Sequence, residues 1–257
     1  MSVGTKMIGI VGGLGPYAGL DLYRKILDQT DVVNEREHIP VALLPVTRPY
    51  EYRILDSSNN YVNIVDAIFN VLLNMEQIGV RVAGIACNAA HTPHIFDVVL
   101  KKMREAKINI KVVNMINETA DFIKSTYPEI KNVGVLCTTD TYKSKIHEII
   151  LGGKGIKVIL PDEVLQKNVV NKAIYDLTYG IKARSNPVTD IAKRELMNAI
   201  NYLLLLGAEA IVLGCTEIPL AVTDKRIKGK AVIDSTLVLA RALIREVKPA
   251  ALKPLSL

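Results

Sequence analysis

Cysteine is scarce in this chain: three in 257 residues, beside three phenylalanines and no tryptophan. Three thiols, Cys87, Cys137 and Cys215, cannot all pair, and a chain of this length builds a core without staples. Unbridged thiols in a reducing compartment are therefore expected. No close Cys-x-x-Cys pair is present, so no metal site is expected, although Cys87, His91 and His94 lie near one another. No apolar run reaches the length of a membrane span, and no leading stretch has the regions of an export signal, so the expected location is cytoplasmic. The net charge is +6, yet no basic run alternates with aromatics. That pattern argues against nucleic-acid and membrane partners and for a solvated surface that attracts small acidic molecules.

What the chain does hold is apolar residues, 49% of the total, in regularly alternating segments. Short apolar runs at 6–11, 41–46, 82–86, 108–114, 132–136, 156–160, 210–213 and 231–234 read as strands. Helical spacing fills the intervals: Leu20, Leu22, Tyr23 and Ile26, then 63–78, 141–150, a long stretch over 164–206, and 236–247. Strand and helix in alternation predict an α/β fold with parallel sheets and right-handed crossovers.

Two stretches share a shape. Gly84-Ile85-Ala86-Cys87-Asn88-Ala89-Ala90-His91 and Ala210-Ile211-Val212-Leu213-Gly214-Cys215-Thr216-Glu217 each end a strand in a cysteine and enter a polar turn. A lone cysteine there is equally a small core residue. The recurrence is what draws attention to the pair. Gly12 precedes Cys87 by 75 positions, and Cys137, followed by Thr138 and Thr139, precedes Cys215 by 78. The halves thus predict two pseudo-symmetric, Rossmann-like parallel-sheet lobes, with the active site in the cleft between them. The expected boundaries are residues 1–116 plus 232–257 for the lobe with Cys87, and 117–231 for the lobe with Cys215. The loop Gly12-Gly13-Leu14-Gly15-Pro16 invites a nucleotide-binding reading, but Ala18 stands where the third glycine of the dinucleotide fingerprint belongs.

Two thiols on opposite sides of a substrate suit a reaction that removes a proton from one face of a carbon and returns one to the other. A thiol titrates near 8.5, close enough to neutrality for one to wait as thiolate and one as thiol. Asn88, Thr216, Thr138, Thr139 and the amides after each cysteine are candidate donors to an enolate-like transition state.

Together the glycine loop, Cys87-Asn88-Ala89-Ala90-His91 and Gly214-Cys215-Thr216-Glu217 resemble the cofactor-independent aspartate/glutamate racemases, and the aspartate branch in particular, across essentially the whole chain. Glutamate racemases follow the second Cys-Thr with histidine, where this chain has Glu217. The resemblance implies a homodimeric, PLP-independent amino-acid racemase without cofactor, acting on a small acidic amino acid, with Cys87 acting on the D-enantiomer and Cys215 on the L-enantiomer. It implies a substrate site including Gly12, Arg53, Asn88, Ala89, Thr138, Thr139, Lys182, Thr216 and Glu217, with Arg48 a competitor for the role of Arg53 as side-chain carboxylate ligand. Lys182 follows the Ile174-Tyr175 pair with extra intervening residues, and Ala89 stands where the family has threonine. Glutamate or a broader acidic amino-acid substrate is the alternative. So is a non-catalytic dicarboxylate-binding protein on the same scaffold, although binding alone needs no paired thiols. Relatives that protonate one face, such as decarboxylases, need only one.

Overall fold

The computed structural model describes residues 7–13, 15–46 and 61–255, with side chains from residue 64 in the last segment. Contacts divide the chain into two compact units, Met1–Met115 with Leu239–Ser256, and Ile116–Val238.

The first unit begins with β1 (Met7–Gly12), α1 (Pro16–Gln29), β2 (Val41–Pro45) and α2 (Tyr61–Gln77). It continues through β3 (Val80–Ile85), α3 (Pro93–Glu105) and β4 (Lys111–Val113) into α4 (Met115–Thr126), within which the chain enters the second unit. The sheet order is β2-β1-β3-β4, all parallel. Alternation along β1 divides the core: Ile8 and Ile10 pack with Leu22 and Ile26 of α1, while Val11 packs with Leu72 of α2 and Val99 of α3. Being apolar on both faces, the strand must be covered by helices on both.

The second unit holds β5 (Asn132–Leu136), α5 (Thr139–Ser144), α6 (Ile146–Gly152), β6 (Lys157–Ile159) and the short α7 (Glu163–Leu165). A π-helical turn over Gln166–Val170 leads into α8 (Asn171–Tyr175), followed after a non-helical connection by α9 (Asp190–Leu205). Then come β7 (Ala210–Leu213), β8 (Arg226–Ile227), β9 (Lys230–Asp234) and α10 (Ser235–Val247). The order is β6-β5-β7-β9-β8, parallel but for β8. Each unit therefore arranges its first four parallel strands as second, first, third, fourth. Leu196, Ala199, Ile200 and Leu203 of α9 bury one helical stripe against Ile211 and Leu213, while Val133, Val135 and Val212 face the other layer.

The structure corrects three expectations. The helical region over 164–206 is interrupted, because residues 176–189 form turns, including a cis Asn186–Pro187 bond. Helix 141–150 is two helices meeting at Lys145, which adopts φ +55°. Residues 232–238 belong to the second unit, since β9 is hydrogen-bonded to β7 from Ala231 to Asp234; the first unit regains the chain only at Leu239, inside α10. The apolar face of Leu239, Leu243 and Ile244 joins the core of Ile8 and Ile10. No helix among the described residues is long and apolar enough to cross a membrane.

Candidate active site

In an open parallel sheet, ligands sit beyond the carboxyl ends of the strands where connections diverge to opposite sides. That point lies between β1 and β3 in one unit and between β5 and β7 in the other. Each is closed in the same way: the Ala86 amide donates to the Val11 carbonyl at 3.0 Å, and the Gly214 amide to the Leu136 carbonyl at 2.7 Å. The next residues are Cys87 and Cys215. Both thiols stand two positions past the third strand of their sheet.

In the first unit Gly12 ends β1, and its carbonyl accepts from the Val46 amide at 3.1 Å. Gly13 then runs so close to the third strand that a Cβ on it would stand 2.1 Å from the Ala86 oxygen. Only glycine lets this backbone approach the cysteine turn. Cys87 is half-buried in extended conformation and caps a 3-10 turn over Asn88–His91. Asn88 is buried and Ala89 partly exposed. The turn is pinned from beneath. His91 Nδ1 lies 2.9 Å from the Cys87 carbonyl, and its ring stacks on Phe96 at 5.1 Å. Burial lowers its pKa to about 4, despite bonds to the Cys87 and Val113 backbones that favour the cation. A neutral imidazole facing a carbonyl must carry its hydrogen on Nδ1. Thr92 Oγ1 donates to the Ala89 carbonyl at 2.8 Å. His91 thus orients the loop, and no group of three or more His, Cys, Asp or Glu among the described residues is placed to hold a metal.

In the second unit Thr138 caps α5, its Oγ1 accepting from the Thr141 amide at 3.4 Å and pairing with Thr141 Oγ1 at 2.9 Å. Thr139 Oγ1 donates to Asn171 Oδ1 at 2.9 Å. Gln166 Nε2 donates to the Cys137 carbonyl at 2.9 Å, so the π-helical turn is tied to this strand end by a buried amide. Cys137 itself is core: it is 1% exposed, and burial with the Glu148 charge pushes its thiol well up.

Cys215 has the most developed surroundings. Its Sγ donates to Glu217 Oε2 at 3.1 Å, and Thr216 Oγ1 donates to the same oxygen at 3.3 Å. The other carboxylate oxygen, Oε1, is paired with Lys182 Nζ. Lys182 reaches this place because the connection after α8 folds back, its amide bonding to the Ile174 carbonyl at 3.0 Å. Its Nζ lies 5.6 Å from the centre of the Tyr175 ring. Cys215, Thr216 and Glu217 are buried, while the Lys182 side chain keeps 24% of its surface exposed. Burial, then the Glu217 charge, raise the Cys215 thiol well above its ordinary value, only partly countered by Lys182 and by the Glu217 backbone amide. For Lys182 burial works against the cation, but the carboxylate of Glu217 with Cys215 and Tyr175 outweighs it, and the ammonium is held above its usual value.

Each unit thus gathers its own set: Gly12, Cys87, Asn88 and Ala89 in the first, and Thr138, Thr139, Lys182, Cys215, Thr216 and Glu217 in the second. Arg53 and its competitor Arg48 lie outside the described residues. Sequence reading did not find Gln166 and Asn171 as supports of the β5 turn, for both sit in a helical pattern in which nothing marks the π-helical turn.

The chain matches the Asp/Glu/hydantoin racemase family over residues 11–243. It is 30% identical over 127 residues to an uncharacterised protein of Pectobacterium carotovorum subsp. carotovorum, covering 49% of this chain and 78% of that one. Among solved structures it is similar to the aspartate racemase of Picrophilus torridus, at 27% identity and a TM-score of 0.75 over 94% of each chain. It also shares the fold of the Francisella tularensis glutamate racemase in complex with D-glutamate, at 18% identity and a TM-score of 0.62 over 98% of this chain and 85% of that one. The match takes in both cysteine turns and the glycine loop, and the chain belongs to the Asp/Glu/hydantoin racemase family.

Proposed function

We propose that this protein is a cofactor-independent aspartate racemase in which Cys87 and Cys215 exchange the α-proton from opposite faces of the substrate. The observation that carries the reading is the equivalent placement of the two thiols, each two residues beyond the third strand of a sheet with the same strand order. Likeness to the Picrophilus torridus aspartate racemase favours aspartate.

In this reading the Cys87 thiolate takes the proton of D-aspartate while the Cys215 thiol protonates the other face; L-aspartate reverses the roles. The amides and hydroxyls around Asn88, Ala89, Thr138, Thr139 and Thr216, with the Gly12 loop, hold the α-carboxylate and its enolate-like charge. A single preorganised donor of this kind contributes about 10²–10³ in rate. Lys182 offers its exposed side to a substrate carboxylate, and Arg53 or Arg48 takes the side-chain carboxylate. The enzyme works as a cytoplasmic homodimer.

Proton NMR of L-aspartate, and separately L-glutamate, in heavy water without pyridoxal phosphate tests this, combined with chiral analysis. Loss of the α-proton signal with appearance of D-aspartate is expected, and Cys87→Ala and Cys215→Ala should each abolish racemisation. Undiminished racemisation by Cys87→Ala would sink the two-base mechanism. Exchange of glutamate alone would reassign the substrate, and no exchange with either would favour a dicarboxylate-binding protein.

A further inference from the structure

The two thiols are not equivalent. Glu217 is buried with one carboxylate oxygen on the Lys182 ammonium and the other 3.1 Å from Cys215 Sγ. An ion-paired carboxylate has no hydrogen to give. The proton between sulfur and oxygen therefore belongs to the sulfur, and Thr216 Oγ1 donates to that same oxygen from the side. Cys87 sits differently, half-buried and in extended conformation at the head of a 3-10 turn.

We propose that Glu217, clamped by Lys182, is a positioning residue that holds Cys215 as the thiol of the pair, so that the resting enzyme keeps its mobile proton in the second unit and waits with Cys87 as the base. The proposal rests on the two-cysteine reading above and assigns Glu217 to the cysteine rather than to the substrate. In the first turnover the substrate Cα–H bond breaks and its proton passes to Cys87 Sγ; the Cys215 S–H bond breaks and its proton passes to the opposite face of Cα. Cys87 is left as thiol and Cys215 as thiolate. Return to the resting form moves one proton from Cys87 to Cys215 through water, with no net gain or loss, and the Glu217 charge favours that direction. The groups facing Cys215 among the described residues are Glu217 and Lys182, with Tyr175 against Lys182 and the His147 ring beyond Gly214. Because racemisation has an equilibrium constant of one, kcat/KM is equal for the two enantiomers at every pH, and the asymmetry is legible on the thiols instead.

The test is a thiolate titration by absorbance near 240 nm in full-length Cys87→Ser, in which Cys137 stays silent as a buried core thiol. The expected midpoint for Cys215 lies above the ordinary thiol value of about 8.5. In Cys87→Ser with Glu217→Gln it should fall by about one pH unit or more, as expected on removing a like charge in contact. A midpoint at or below the ordinary value in Cys87→Ser, or no change with Glu217→Gln, overturns the proposal. Should the glutamine variant not fold, peptide-resolved iodoacetamide labelling of the wild-type protein at pH 7.5 decides: Cys87 alkylated much faster than Cys215 supports it, and equal or reversed rates overturn it. Neither readout needs turnover, so failure of the NMR experiment with the expected titration removes the racemase reading and leaves the Glu217–Cys215 coupling standing.

Discussion

His91 shows how one side chain ties the Cys87 turn to the stability of the fold. Its ring is 2% exposed, donates from Nδ1 to the Cys87 carbonyl and stacks on Phe96, and burial holds its pKa at about 4 against an ordinary 6.5. Between those values the unfolded chain binds more protons than the native one, so stability rises with pH across this window. The contribution is complete above about 6.5 and is lost as pH falls towards 4, amounting to roughly 3 kcal/mol in all. Urea unfolding at pH 7 and pH 5 should show a loss of stability that shrinks by about 2 kcal/mol in His91→Gln, whose amide does not titrate. An unchanged pH dependence would mean that other groups carry it. At this scale the cysteine turns were legible in the sequence. The pairing of Lys182 with Glu217 was not, because 35 positions separate them and no local pattern links a lysine in an irregular connection to a glutamate after a strand.

Among the elements, α9 packs in one core with the strand that leads to Cys215. Its buried stripe presses on β5 and β7, and Leu203 lies fully buried where a Cβ on Gly134 would stand 2.9 Å from the leucine Cβ. The strand has glycine at this point because the helix comes so close. Leu203→Ala should cost about 2–5 kcal/mol by urea denaturation, the range for a leucine whose cavity only partly collapses. A cost below 1 kcal/mol would show that α9 closes onto the sheet. The periodicity of α9 was visible in the sequence, but the break before it was not, since residues 176–189 still carry Leu177, Tyr179, Ile181 and Val188 among their polar neighbours.

For the whole molecule, the two units differ in how the chain builds them. Ile116–Val238 is contiguous, with all five of its strands and both of its cores in one run, whereas the first unit needs residues from both ends of the sequence. A fragment spanning 116–238 should therefore unfold cooperatively in urea with native-like circular dichroism. A fragment spanning 1–115 should not, because Leu239, Leu243 and Ile244 would be missing from the core of Ile8, Ile10, Leu22 and Ile26. Cooperative folding of 1–115 alone would show that α10 is dispensable to that core.

By itself the sequence determined the alternation of strand and helix, the two cysteine turns at strand ends and the glycine approach before the first of them. These are local properties: apolar periodicity fixes the element, and turn residues fix its end. Tertiary structure alone decided that β9 extends the second sheet, that Gln166 of a π-helical turn supports the neighbouring strand end, and that Glu217 stands between Cys215 and Lys182. A hydrogen-bonded neighbour or a buried ion pair is chosen by three-dimensional proximity and by the cost of leaving a buried polar group unmatched, neither of which is written in the spacing of residues along the chain.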